Sequence, residues 1–138
     1  MRHQVKTKKL SRTKSHREAM LANMATSLLD NRTITTTETK AKELRRVVDR
    51  LIAIAKDDSL QARRQVGRTI KNKNVVKKLF ADIAPQFRDR PSGFTRVMRI
   101  GFRRGDSAAI SMVELLTAKP KSEKEKEKKK EKAAAKKK

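Results

Sequence analysis

Apolar residues recur every three to four positions from Met20 to Ile83 and roughly every second position from Phe94 onward, so the chain reads as helices first and strands last. Ser15 stands three residues before Glu18, the spacing of a capping box, and Met20, Leu21, Met24 and Leu28 follow. This predicts a first helix over 16–30, closed by Asn31. Thr33 to Thr37 is a β-branched run around Ile34, which favours a brief strand. Thr35 and Glu38 repeat the capping spacing. Ala41, Leu44, Val47, Val48, Leu51, Ile52 and Ala55 then form the longest apolar stripe in the chain, predicting a second helix over 37–56.

Asp57, Asp58 and Ser59 offer caps for a third helix near 59–68, into which Gly67 intrudes. Val75, Val76, Leu79, Phe80 and Ile83 predict a fourth, ended ahead of Pro85, which disfavours helical geometry at Ala84. Phe94, Met98, Ile100 and Phe102 fall on one face of a strand, with Thr95, Arg99 and Arg103 on the other. Arg96 and Val97 break that alternation and mark a bulge. Gly105-Asp106-Ser107 is turn chemistry, and Ala109 to Leu116 is a second strand with apolar residues on both faces. The expected fold is α+β: about four helices packed with a small sheet, made of a hairpin near 94–117 and a short edge strand at 33–37. Phe80, Phe94 and Phe102 are assigned to the core, as are Met20, Met24, Met98 and Met112.

The two ends do not fit these periods. Residues 1–14 carry six Lys and Arg and no acid, which reads as an extended basic arm ahead of a single domain over 15–117. Residues 118–138 contain no apolar residue larger than alanine and are expected to form a disordered Lys/Glu tail. With 36% hydrophobic residues the chain can bury one modest core. No apolar run approaches the roughly 20 residues needed to span a bilayer. The N-terminal segment lacks the apolar stretch of a secretory signal, so a cytoplasmic protein is expected.

Charge then decides the partner class. The chain holds 38 Lys plus Arg against 15 Asp plus Glu, a net +23. The excess is not confined to the tail, and a compact body that repels itself this strongly implies a polyanion whose counterions it displaces. The expected partner is nucleic acid rather than an anionic membrane. Zero Cys rules out disulfides and Cys-based zinc sites, and two His make a poor metal set, so no metal or cofactor is expected.

The basic residues form four clusters. The arm contributes Arg2, His3, Lys6, Lys8, Lys9, Arg12, Lys14, His16 and Arg17, and the second helix contributes Lys40, Lys42, Arg45, Arg46 and Arg50. The third helix adds Arg63 and Arg64, with Arg68 near them. Around the hairpin stand Arg96, Arg99, Arg103 and Arg104, with Arg88 and Arg90 nearby. A single charge run is usually only a solvated face, but four on one small domain argue for RNA contacts. Arginine in the hairpin suits bidentate phosphate recognition. Neither Tyr nor Trp occurs, so a stacking platform for single strands is poorly supported and structured RNA is favoured. His16, within a basic arm, suits a phosphate contact or cap better than a catalytic base. No nucleophile with a matched base, no phosphate-cradling glycine loop and no small-molecule site is legible.

Several strings in order resemble one family, the bacterial-type large-subunit ribosomal protein seventeen. They are Met1-Arg2-His3, Leu10-Ser11-Arg12, Ser15-His16-Arg17, Thr36-Thr37 with Lys40-Ala41-Lys42-Glu43-Leu44-Arg45, and Arg63-Arg64. Leu79-Phe80, Gly93-Phe94-Thr95-Arg96, Gly105-Asp106 and Glu114-Leu115 complete the set. Two positions depart from the family pattern, which resembles Gly-Gly-Tyr-Thr-Arg where this chain has Ser92-Gly93-Phe94-Thr95-Arg96: Ser92 stands for a glycine and Phe94 for a tyrosine. The tail has no counterpart in shorter members. The resemblance implies a non-catalytic α+β protein in the cytoplasmic ribosome. It implies binding to large-subunit ribosomal RNA near the peptide exit tunnel, beside other ribosomal proteins. The alternative is a free RNA chaperone or nucleic-acid-compacting protein, against which the well-patterned core speaks.

Overall fold

The computed structural model describes residues 8–116. It contains four helices, α1 (Lys14–Asn31), α2 (Glu38–Ala55), α3 (Leu60–Thr69) and α4 (Lys73–Lys78), and three strands, β1 (Thr33–Thr37), β2 (Thr95–Phe102) and β3 (Ala109–Leu115). The fold is α+β, as expected. Most of the arm, at 1–7, and the tail from 118 lie outside the described residues. Among the described residues no helix is long and apolar enough to cross a membrane.

The long apolar stripe makes α2 the spine. Ala41, Leu44, Val48, Leu51, Ile52 and Ala55 are all buried on it, and it touches α1, α3 and all three strands. Leu44 is completely buried. Leu44→Ala should therefore lower unfolding stability by about 2–5 kcal/mol, read as a shifted denaturation midpoint with an unchanged slope.

Helix starts differ from the capping-box expectation. α1 begins at Lys14 with Thr13 in the capping position, and α2 at Glu38 with Thr37 there; neither threonine side chain caps. Ser15 lies inside the first turn of α1, and Thr35 lies within β1. The spacing was present in both places, but at α2 the strand runs straight into the helix and fixes its first turn without a cap. Glu38 in that turn still suits the positive end of the helix dipole. Ser59 does cap α3, its Oγ accepting from the Ala62 N–H at 3.1 Å, and the helix passes through Gly67 to Thr69. At the end of α1, Arg32 turns left-handed at φ 65°. Its carbonyl accepts from the Leu115 N–H at 2.9 Å, fastening the helix end beside β3.

The fourth helix does not stop ahead of Pro85. After Lys78 it widens into a π-helical turn over Leu79–Ile83 and tightens into a 3-10 turn over Ala84–Phe87. Ala84 is helical at φ −58°, ψ −40°. The change of pitch buries Leu79, Phe80, Ile83, Ala84 and Phe87 together, which offsets the steric preference of a residue ahead of proline.

The sheet is antiparallel in the order β1-β3-β2, with β1 on an edge as expected. Its core face carries Ile34 on β1, Val113 and Leu115 on β3, and Thr95 and Val97 on β2. This reverses the expected faces of β2 from Thr95 to Arg99. Met98 lies opposite Met112, both half-buried, while Ile100 and Phe102 are 60% and 65% exposed. Phe94 is a buried core residue, but it precedes the strand and packs edge-on against Phe87 at 5.1 Å. Counting it into the alternation shifts the phase by one residue and turns over the side chains as far as Arg99, while beyond the bulge Phe102 pairs with Ala109 on the same face as Val97 and Arg99. The bulge lies between Arg99 and Gly101, not at Arg96 and Val97.

Candidate nucleic-acid interface

The basic side of α2 faces β2 across a cleft of about 460 Å³, lined by Glu38, Lys42, Arg45, Arg46, Val97, Arg99 and Ser111. Lys42 and Arg46 are one helical turn apart, and Arg50 follows one turn further. Each α2 cation in the wall has a carboxylate to orient it: Lys42 with Glu38 at 2.6 Å, Arg45 with Asp49 at 3.6 Å and Arg46 with Glu43 at 3.6 Å. Asp49 also accepts from the Thr95 hydroxyl at 2.9 Å, so the position of Arg45 is tied to the start of β2.

The Glu38 carboxyl is held below its usual range, first by the hydrogen bond from Lys42 and further by the charges of Arg99 and Lys8. Lys8, from the arm, thus contributes to the field at this cleft. The solvent-facing Lys42–Glu38 pair adds little to stability, whereas Glu43 beside Arg46 is buried. Ser111 lines the cleft, 1% exposed, with no protein partner for its hydroxyl among the described residues.

A second hollow, of about 390 Å³, brings Arg12 and Lys40 together over Met20, Met24 and Ile34. Here the arm is not extended. Leu10 and Ser11 take left-handed φ values of 56° and 52°, and Arg12 Nη1 donates back to the Leu10 carbonyl at 3.1 Å. Lys14, His16 and Arg17 occupy the first turn of α1. The side chains of Lys9, Lys14, Arg17, Lys40, Arg50, Arg64 and Arg104 pair with no carboxylate among the described residues. Arg2, His3 and Lys6 lie outside them.

Three predicted site residues outside the cleft are engaged within the fold. Arg63 bonds Asp58, Nη2 to Oδ1 at 2.6 Å, and lies over the Phe80 ring at 4.7 Å at the core edge; both it and its neighbour Arg64 are exposed. Arg103 Nε donates to Asp106 at 3.0 Å, and Asp106 also accepts from the Ala108 N–H at 3.2 Å. These bonds, Arg103's first, push the Asp106 carboxyl down to about 2. A depressed carboxyl contributes stability that is full above its unfolded value and declines progressively as pH falls towards the folded one, so the Asp106 bonds weaken only in acid. Gly105, at φ +102°, supplies the backbone the turn requires. Arg96 meets Glu114 across the strands at 3.4 Å.

Sequence reasoning missed Glu38 and Ser111 in the cleft. Their placement follows from strand register and from the strand-to-helix junction, neither of which leaves a local signal. Among the described residues no group of three or more His, Cys, Asp or Glu is placed to hold a metal.

The family model described as ribosomal protein L17 matches residues 20–116. The chain belongs to the ribosomal protein L17 family. Among relatives in it, the large ribosomal subunit protein bL17 of Syntrophotalea carbinolica is 50% identical over 116 residues, covering 84% of this chain and 75% of its own length. The bL17 of Syntrophobacter fumaroxidans is 48% identical over 85% of this chain and 78% of its own. That of Trichlorobacter lovleyi is 47% identical over 84% and 94%. The L17 match takes in the α2–β2 cleft whole, from Glu38 to Ser111.

Proposed function

We propose that this L17-family protein is a structural constituent of the large ribosomal subunit, binding ribosomal RNA and supporting subunit assembly and translation in the cytoplasm. Membership of the L17 family supports the ribosomal role. A position beside the peptide exit tunnel, contacts with neighbouring ribosomal proteins and the lack of a catalytic activity are implied by the resemblance and form part of the proposal.

The observation that carries RNA binding is the cleft, where Lys42, Arg45, Arg46 and Arg99 come from two elements to line one hollow. Guanidinium groups in such a wall match phosphate oxygens two at a time, and the carboxylates beside them set their direction. Arg12 with Lys40, the start of α1, Arg50, Arg64 and Arg104 extend the surface. Arg63 and Arg103 serve the fold.

Sedimentation of a lysate through a high-salt sucrose gradient tests the reading. The protein should travel in fixed ratio with the large subunit, whereas release to the top would favour a free RNA chaperone. With purified large-subunit RNA, the variant Lys42→Gln/Arg45→Gln/Arg46→Gln/Arg99→Gln should lower the log–log salt slope by up to roughly 3–4, from 0.7–0.9 per lost phosphate contact. A slope equal to that of the wild type would remove the cleft from the interface.

A further inference from the structure

All four phenylalanines lie in the described chain, and three are core residues: Phe80, Phe87 and Phe94 are 5%, 2% and 1% exposed. Phe102 is 65% exposed. The bulge is the cause of its setting. Arg99 and Phe102 are three residues apart, a separation that puts side chains on opposite faces of a regular strand. With Ile100 bulged out, Arg99 pairs with Ser111 and Phe102 with Ala109, positions of like face on β3. The Arg99 guanidinium therefore lies over the Phe102 ring, 4.7 Å from its centre. Arg99 also lines the α2–β2 cleft, so ring and cleft share a residue.

We propose that Phe102, backed by Arg99, is a stacking platform for an unpaired nucleobase of the RNA whose backbone occupies the cleft. This rests on the RNA-binding reading above and adds the chemistry of the ligand. A guanidinium on one face of the ring leaves the other open to a base, and every base has a π-face to offer. The tip is built in advance, since Asp106 bonds both Arg103 and the Ala108 N–H and closes the turn beyond the ring. Charge selects RNA over an apolar protein patch: residues 95–108 carry Arg96, Arg99, Arg103 and Arg104 against Asp106 alone. A protein seated on Phe102 and Ile100 has to desolvate those cations without phosphates to meet them.

The test uses the full chain and purified large-subunit ribosomal RNA. Phe102→Ala and Phe102→Leu should each bind roughly 5- to 150-fold more weakly, the range for losing one stacked base. Their salt slope should equal that of the wild type, because no phosphate contact is lost, and their melting curves should not move, because the ring is exposed. Phe102→Trp should retain affinity; as the chain has no other tryptophan, its emission should be quenched by RNA. Leucine binding like phenylalanine would make the contact an apolar wedge and overturn the proposal. Alanine binding RNA like the wild type would overturn it while leaving the RNA reading intact. Normal RNA binding by the alanine variant with poor entry into subunits would assign the ring to a protein neighbour, which also overturns it. Failure of the wild type itself to bind the RNA would instead sink the RNA reading.

Discussion

Phe94→Ala should cost about 3–5 kcal/mol in urea unfolding, a large part of the 5–15 kcal/mol that holds a small domain together. The ring is 1% exposed and meets Phe87 edge-on at 5.1 Å, with an interplanar angle of 61°. Lys56 lies over it at 5.8 Å, and the residue's own carbonyl accepts from the Leu116 N–H at 3.0 Å. Phe94 thus joins the last helical turn, the end of α2 and the close of β3. Truncation leaves a cavity that two different layers would have to fill, and neither can relax without moving the other. Phe94→Leu should cost distinctly less, and Arg104→Ala, at the exposed hairpin tip, should stay within about 0.5 kcal/mol of the wild type. A Phe94→Ala midpoint equal to that of the wild type would show that the ring is not part of the core.

Removing residues 1–9 should weaken binding to large-subunit RNA and reduce the log–log salt slope by up to roughly 3–4, if each of Arg2, Lys6, Lys8 and Lys9 meets a phosphate at 0.7–0.9 per contact. The cut belongs after Lys9 because the next residues are part of the body. Leu10 and Ser11 form a left-handed turn, and Arg12 packs beside Lys40 over Met20 and Met24. The melting curve of the shortened protein should therefore match that of the full chain. An unchanged slope would assign the arm's charge to solvent.

Helix α2 was legible in the sequence because its apolar stripe continues over five turns, long enough for periodicity to outweigh any single residue. β1 was legible from composition, since Thr and Ile together favour little else. What could not be read was set at longer range. Whether Phe94 belongs to β2 depends on Phe87, seven residues earlier in another element, and that choice fixes which face of the strand meets the core. The helical Ala84-Pro85 step runs against a local steric rule and is decided by the burial of Phe87 and Ile83. Among the residues of the cleft, charge singled out Lys42, Arg45, Arg46 and Arg99 individually. Their meeting in one cleft, and the engagement of Arg63 with Phe80 and Asp58, come only from tertiary packing.

The strand order β1-β3-β2 places the last strand made in the middle of the sheet. During synthesis β1 is complete at Thr37 and β2 at Phe102, yet neither has a hydrogen-bonding partner until Ala109–Leu115 has been translated. α2 can collapse onto α1, α3 and the Leu79–Ile83 turn well before then, so the helical half gathers first while two strand edges wait. Closing β1 onto β3 spans more than seventy residues of chain, from Thr37 to Ile110, whereas β2 and β3 meet across a tight turn. The hairpin therefore zips first and the β1 edge docks last. A nascent chain halted inside the 103–108 turn has its helices, its basic arm and an open sheet. Its affinity for RNA then precedes its finished fold, and RNA is available to it as a scaffold while the final strand arrives.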